Sequence, residues 1–332
     1  MTSTPHDSLF KYTFSQPQHA IELFRSVLPA AAVPHIDFDT LRMEPASFID
    51  DELRARFSDL LFSVRLAGQP TYLYLLFEHQ SKPERFMCWR LLRYVLDTWD
   101  HHLRKHPEAR HLPVVIPIVL HHGEHGWTEP VSLRELYDAP AEVLDALRPL
   151  LPELTFLLED LVPQDDAAVR TGVVSAVLEM TYWAFKHVRH DRDVLPDLRE
   201  VLDVLAAMFD APNGPAALNV LMLYIFKVAG TPVRDVKVIV DQLGRPEVSE
   251  IVMTAAEQLH EEGRKEGRKE GRKEGRKQTQ RENLLMLLSQ RFEPLPEQLL
   301  ADIRRAELDQ LQRWFERGLT AQSLDAVFAD EP

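Results

Sequence analysis

Two acids set into apolar, β-rich runs constrain this chain more than any other feature. Tyr72-Leu73-Tyr74-Leu75-Leu76-Phe77 carries no charge until Glu78 follows it, and earlier Arg56-Phe57-Ser58-Asp59-Leu60-Leu61-Phe62 holds Asp59 in a similar setting. Burying a carboxylate costs several kcal/mol unless something pairs with it, and a divalent cation is one such partner. On a strand, residues two apart share a face and lie roughly 6.5 Å apart, so Glu78 and Gln80 can address one ligand. If residues 55–66 pair with residues 71–81, Asp59 sits across from them, because neighbouring strands are about 4.8 Å apart. Two carboxylates and a carbonyl oxygen suit Mg²⁺ or Mn²⁺, which take hard oxygen ligands. Asp59, Glu78 and Gln80 are therefore the expected metal set.

Periodicity orders the elements around that pair. Residues 7–27 read as a helix carrying Leu9, Phe10, Phe14, Ile21, Phe24 and Val27, broken or restarted at Pro17. Extended runs follow near 35–47, 55–66 and 71–80. Residues 85–106 form an amphipathic helix with Trp89, Leu92, Leu96, Trp99 and Leu103 on one face, ended by Pro107. Leu112–Leu120 is a nearly continuous apolar strand of the kind buried on both faces. The order helix, three strands, helix, strand gives an α/β class. Beyond it the chain turns helical: Val131–Tyr137, Ala141–Arg148, Asp166–His187, Pro196–Ala211, Gly214–Ala229 and Thr231–Leu243.

Several short motifs fall in one order along the chain. They are His6-Asp7-Ser8-Leu9-Phe10-Lys11, Leu28-Pro29, Phe48-Ile49-Asp50-Asp51-Glu52-Leu53-Arg54, Ser58-Asp59-Leu60-Leu61 and Phe77-Glu78-His79-Gln80-Ser81. Then come Arg90-Leu91-Leu92-Arg93-Tyr94, Leu112–Leu120 and His122-Gly123-Glu124-His125-Gly126-Trp127. Over residues 6–127 this pattern resembles the recombination-promoting nuclease family (Rpn, YhgA-like, transposase-like) of the PD-(D/E)XK nuclease superfamily. The resemblance implies a PD-(D/E)XK core with the element order above, followed by a helical extension and a helical tail. It implies a metal-dependent DNA endonuclease that hydrolyses phosphodiester bonds and promotes recombination or serves a mobile element. The superfamily usually places Lys where this chain has Gln80. Glutamine can orient a water but brings no charge, although Glu-His-Gln-Ser does occur in this subfamily. Lys82 is the candidate to supply the charge, with Pro83 beside it marking the strand's end. Asp7 and Glu22 are candidate accessory acids, with N-capping and a solvated face as their structural alternatives. For Glu78 the structural alternative is a strand-end carboxylate bonded to backbone or paired with Arg90 or Arg93. The pairs His101-His102 and His121-His122 lack the i,i+4 spacing of a helical zinc motif.

Charge and cysteine usage bound the rest. A net charge of −14 argues against the whole molecule clamping DNA electrostatically, but Lys82, Arg85, Arg90, Arg93, Arg104, Lys105 and Arg110 make a local basic patch. Cys88 is the only cysteine, which rules out an internal disulfide and a multi-thiolate zinc site and fits a reducing cytoplasm. The most apolar runs are too short to cross a bilayer, and the N-terminus has no basic region leading into an apolar stretch, so no membrane partner is expected.

Four segments are expected: a nuclease-like domain over 1–130, a helical extension over 131–255, a charged linker over 256–278 and a small helical module over 279–332. The linker consists of four Glu-Gly-Arg-Lys copies from Glu262 to Lys277. Each glycine costs about 1 kcal/mol in a helix relative to alanine, and the arginines are like-charged i,i+4 neighbours. The sequence therefore reads as a marginal helix or solvated linker, with a nucleic-acid arm and a close helix–helix contact as sharper readings. Leu308, Leu311, Trp314 and Phe315 in the tail offer a surface for homo-oligomerisation or for packing on the chain itself. The alternatives to an active nuclease are an inactive nuclease fold that binds DNA or protein, and a helical oligomerisation scaffold.

Overall fold

A mixed five-stranded sheet in the order β1-β2-β3-β4-β5 organises the first of two units, residues 1–256. The computed structural model describes residues 4–45, 58–78, 83–164, 175–190, 192–292 and 294–329, with the backbone alone at 58–59 and 76–78. Helices α1 (Pro5–Phe14) and α2 (Pro17–Val27) lead into β1 (Ile36–Met43), β2 (Ser58–Leu66) and β3 (Gln69–Glu78); then come α3 (Met87–Lys105) and β4 (Val114–His121). The expected order of helix, three strands, helix, strand is thus present. Pro17 restarts the helix rather than ending it, because proline costs nothing at a first helical turn.

Local chemistry sets the register. Ala67 and Gly68 both adopt positive φ, +48° and +82°, and turn β2 into β3 as a two-residue hairpin whose twist matches its strands. β3 and β4 run parallel, which requires a crossover, and α3 provides it. One face of the sheet buries Leu61, Tyr72, Tyr74 and Val119 against Met87, Leu91 and Tyr94 of α3. Tyr74 and Tyr94 stack at 4.8 Å. The other face receives α2, where Phe24 meets Phe62 edge-on at 5.3 Å.

The structure corrects several expectations. Trp89, Leu96 and Leu103, taken for the buried face of α3, are exposed; Met87, Cys88, Leu91, Tyr94, Val95 and Thr98 face the sheet instead. The helix carries two apolar stripes, and the sheet selects one. β4 is buried only from Pro117 to His121, with Val114 exposed.

The boundary expected after residue 130 falls inside the sheet. β5 (Leu157–Asp160) lies beyond it and pairs parallel with β4. Helix α4 (Ala141–Leu147) precedes β5, and Leu133–Leu136 forms a 3-10 turn in place of the expected helix. The other helices are α5 (Ala176–His187), α6 (Leu195–Glu200), α7 (Leu202–Asp210), α8 (Gly214–Ala229) and α9 (Val233–Val240). α8 packs against α1 and α7, so the segment expected as an extension belongs to the same unit as the sheet. Gly214 permits its entry: a Cβ there would collide with the carbonyls of Met208 and Phe209.

Helix α10 (Pro246–Arg291, 46 residues) runs through the whole Glu-Gly-Arg-Lys repeat, so the expected linker is helical. Helix propagation is cooperative, and buried turns stand on both sides: Val248 and Val252 before the repeat, Leu284 and Leu288 after it. The repeat itself is exposed, with nothing within 4 Å of a Cβ built on Gly263, Gly267, Gly271 or Gly275. The second unit, residues 257–332, also holds α11 (Glu297–Arg305), α12 (Leu308–Thr320) and α13 (Leu324–Phe328). Its core gathers Leu284, Leu288, Ile303, Ala306, Leu311 and Val327, and Trp314 meets Phe328 at 4.7 Å. Among the described residues, no helix is long and apolar enough to cross a membrane.

Candidate functional site

The β2–β3 register decides where the two acids stand. Asp59 pairs with Leu76 and Ser58 with Phe77. Alternate residues of a strand share a face, so Asp59, Leu76 and Glu78 occupy positions of the same pleat parity, one step apart along the sheet. The tight hairpin fixes this relationship, since a slip by one residue would reverse it. Gln80, Lys82 and His79 lie outside the described residues.

The same row continues across the sheet. Glu78 pairs with His121 on β4, and His121 with Asp160 on β5. The C-terminal ends of three parallel strands therefore bring one chemistry-bearing residue each to a single line, on the face that also carries Tyr74 and Val119. Sequence reasoning weighed His121 only within the His121-His122 pair, which lacks a zinc spacing, and did not single out Asp160. Asp160 belongs to a strand of 4 residues with no periodic signal.

His121 is fully buried, and its Nδ1 lies 3.0 Å from Asp160 Oδ1. Asp160 also accepts the Trp127 backbone N–H at 2.6 Å and that of Val162 at 3.2 Å. Burial alone would raise the Asp160 carboxyl, but the hydrogen bonds from His121, Trp127 and Val162 outweigh it and hold the group below the usual carboxylate range. An ionised carboxylate only accepts, so Nδ1 is the donor of this pair, which leaves Nε2 as the ring nitrogen available to another partner. Trp127 closes edge-on over the His121 ring at 5.2 Å. Buried Nε2 has no hydrogen-bond partner among the described residues.

The loop after β4 holds this arrangement. At Gly126 a Cβ would stand 3.3 Å from Asp160 Oδ2, so the missing side chain lets the loop close on the carboxylate. His122 is buried and donates from Nδ1 to Phe185 O at 2.9 Å, while Arg189 donates to Gly123 O at 2.7 Å. These bonds tie the His122–Trp127 motif to α5 and the segment that follows it.

The accessory acids have structural partners. Asp7 completes the N-terminal capping box of α1 with Thr4. Glu22 accepts Ser175 Oγ at 2.7 Å and so joins α2 to the start of α5; it does not lie on a solvated face. In the basic patch, buried Arg90 pairs with Glu84, and Arg85 lies 3.6 Å from Glu129. Among the described residues no three His, Cys, Asp or Glu side chains converge as a metal set; the side chains of Asp59, Glu78 and Gln80 fall outside that group.

Comparison with known proteins adds independent findings. Residues 4–214 match the family described as "Putative transposase, YhgA-like". The chain is 31% identical to recombination-promoting nuclease RpnD of Escherichia coli O157:H7, over 78% of this chain and 95% of that protein. It is 30% identical to recombination-promoting nuclease RpnA of Escherichia coli K12, over 80% of this chain and 86% of that protein. It is 33% identical to the inactive recombination-promoting nuclease-like protein RpnE of Escherichia coli K12, over 80% of this chain and 84% of that protein. No solved structure matches the chain.

Proposed function

This chain belongs to the YhgA-like transposase family of recombination-promoting nucleases, and from that premise we propose that it is a metal-dependent endonuclease hydrolysing DNA phosphodiester bonds in recombination. The observation that carries the reading is the shared pleat parity of Asp59 and Glu78 on adjacent, hairpin-locked strands. The element order of α1 to β4 is also that of a PD-(D/E)XK core, which we take as the fold of this unit.

Asp59, Glu78 and a carbonyl or side-chain oxygen at Gln80 would hold a hard divalent ion, Mg²⁺ or Mn²⁺, which takes such oxygen donors. When bound, such an ion would supply polarisation of a phosphoryl oxygen and a lowered pKa for its water. Gln80 orients the attacking water by hydrogen bonding, and Lys82 brings the positive charge that Gln80 lacks. Cations of the patch, such as Arg93, Arg104 and Arg110, meet DNA phosphates locally despite the net charge of −14. Buried Cys88, the only thiol, accords with a cytoplasmic setting, and the second unit is the candidate for self-association.

A second reading has its own support. Gln80 replaces the superfamily's usual lysine, and one relative of similar identity is named inactive. In that reading the unit binds DNA or protein without cutting. Incubation of full-length protein with supercoiled plasmid in Mg²⁺ or Mn²⁺ decides. Nicking that EDTA stops and Glu78→Ala abolishes supports the nuclease; DNA retention without nicking in either ion supports the binding module.

A further inference from the structure

We propose that His121 is an additional ligand of that divalent ion, binding through Nε2, with Asp160 fixing the ring from behind. The inference rests on the nuclease reading for Asp59 and Glu78, and it extends the site to strands β4 and β5.

Three observations carry it. His121 stands in register with Glu78 on the neighbouring parallel strand, at the same pleat position. Its Nδ1 is engaged by Asp160 at 3.0 Å, on the β5 side. Its Nε2 is buried and has no hydrogen-bond partner among the described residues, which is costly for a ring nitrogen away from water. In an imidazole, Nε2 faces away from the neighbour of Nδ1, so with Nδ1 turned toward β5 the free lone pair turns away from it. Metal-binding histidines commonly donate their other ring N–H to a carboxylate, which fixes the tautomer and raises ligand basicity. The Asp160–His121 pair has that chemistry, with Trp127, Val162 and Gly126 shaping the environment of the carboxylate.

A nitrogen donor changes which ion is preferred. Imidazole suits borderline transition ions better than Mg²⁺, so a site of Asp59, Glu78 and His121 favours Mn²⁺ over Mg²⁺ more strongly than carboxylates alone would.

The test is binding of Mn²⁺ alone to the full-length protein, followed by calorimetry and pulsed electron paramagnetic resonance. The wild type should bind Mn²⁺ and show echo modulation from a directly coupled ¹⁴N. His121→Asn should lose that modulation and weaken Mn²⁺ binding at least tenfold, with a smaller effect on Mg²⁺. Asp160→Asn should weaken Mn²⁺ binding about 10- to 100-fold, the range for carboxylates behind a histidine ligand. His79→Asn should retain the modulation. If Glu78→Gln abolishes Mn²⁺ binding while the wild type shows no coupled nitrogen, His121 is not a ligand and the carboxylate site stands without it. If Glu78→Gln binds Mn²⁺ as the wild type does, or the wild type binds none, the metal reading itself fails and this inference with it. Should His121→Asn lose its cooperative melting transition, the wild-type and Asp160→Asn measurements still decide.

Discussion

His121 and Asp160 are 39 residues apart in the chain, yet a 3.0 Å hydrogen bond joins them across adjacent parallel strands. The pairing places a buried imidazole in the row that Glu78 occupies and engages its Nδ1 as a donor. It also makes the segment beyond residue 130 part of the scaffold around that row, because β5 supplies the Asp160 carboxylate that holds the His121 ring.

The first prediction concerns the two acids. Asp59→Asn and Glu78→Gln should each abolish plasmid nicking while leaving the melting temperature within a few degrees of wild type, or raising it. Each removes a charge from a site strained without its cation. Cleavage assayed beside thermal melting checks this. Undiminished nicking in either variant would remove that residue from the site.

The second concerns acid stability. The folded-state pKa of Asp160 lies below its ordinary value, so its ionised form stabilises the fold above the unfolded pKa, about 3.9 for aspartate. That contribution is lost as pH falls through the folded pKa. Asp160→Asn should therefore cost stability of order 1–3 kcal/mol at pH 7, as for a buried hydrogen-bonded group left mismatched, and less at pH 3. Urea melts at the two pH values give the comparison, and a penalty independent of pH would contradict the assignment.

Two glycines should respond with opposite signs. Gly214→Ala drives a methyl into the Met208 and Phe209 carbonyls and should destabilise the first unit by about 1–3 kcal/mol. Gly267→Ala meets nothing within 4 Å on an exposed helix and should stabilise by up to about 1 kcal/mol. Circular dichroism melts distinguish them; a loss of helicity in Gly267→Ala would contradict the continuous helix through the repeat.

The last prediction concerns the two units. A chain ending at Ala256 keeps Val248, Val252 and Ala255, the buried residues of the first turns of α10. It should melt in one cooperative transition. Light scattering should show a smaller assembly than the full chain forms, or DNA binding should weaken and lose part of its salt dependence. An insoluble or non-cooperative product would show that residues 257–332 belong to the folding unit of the sheet.

Much of the architecture is local and so was legible in the sequence. Alternating and continuous apolar runs mark β2, β3 and β4, and Ala67-Gly68 is the short break between β2 and β3. The position of Asp59 opposite β3 follows once those runs pair. The family motifs likewise sit in contiguous stretches. Tertiary structure decided what depends on distant partners. Period alone cannot tell which of two apolar stripes on α3 meets the sheet, since Trp89, Leu96 and Leu103 repeat as regularly as the residues actually buried. β5 is too short to announce itself and exists because β4 offers an unpaired edge. The Glu-Gly-Arg-Lys repeat is weak as an isolated helix but is continued from buried turns on either side. His121 gained its place the same way: a histidine at the end of a strand has its Nδ1 engaged by a carboxylate only because folding brings Asp160 beside it.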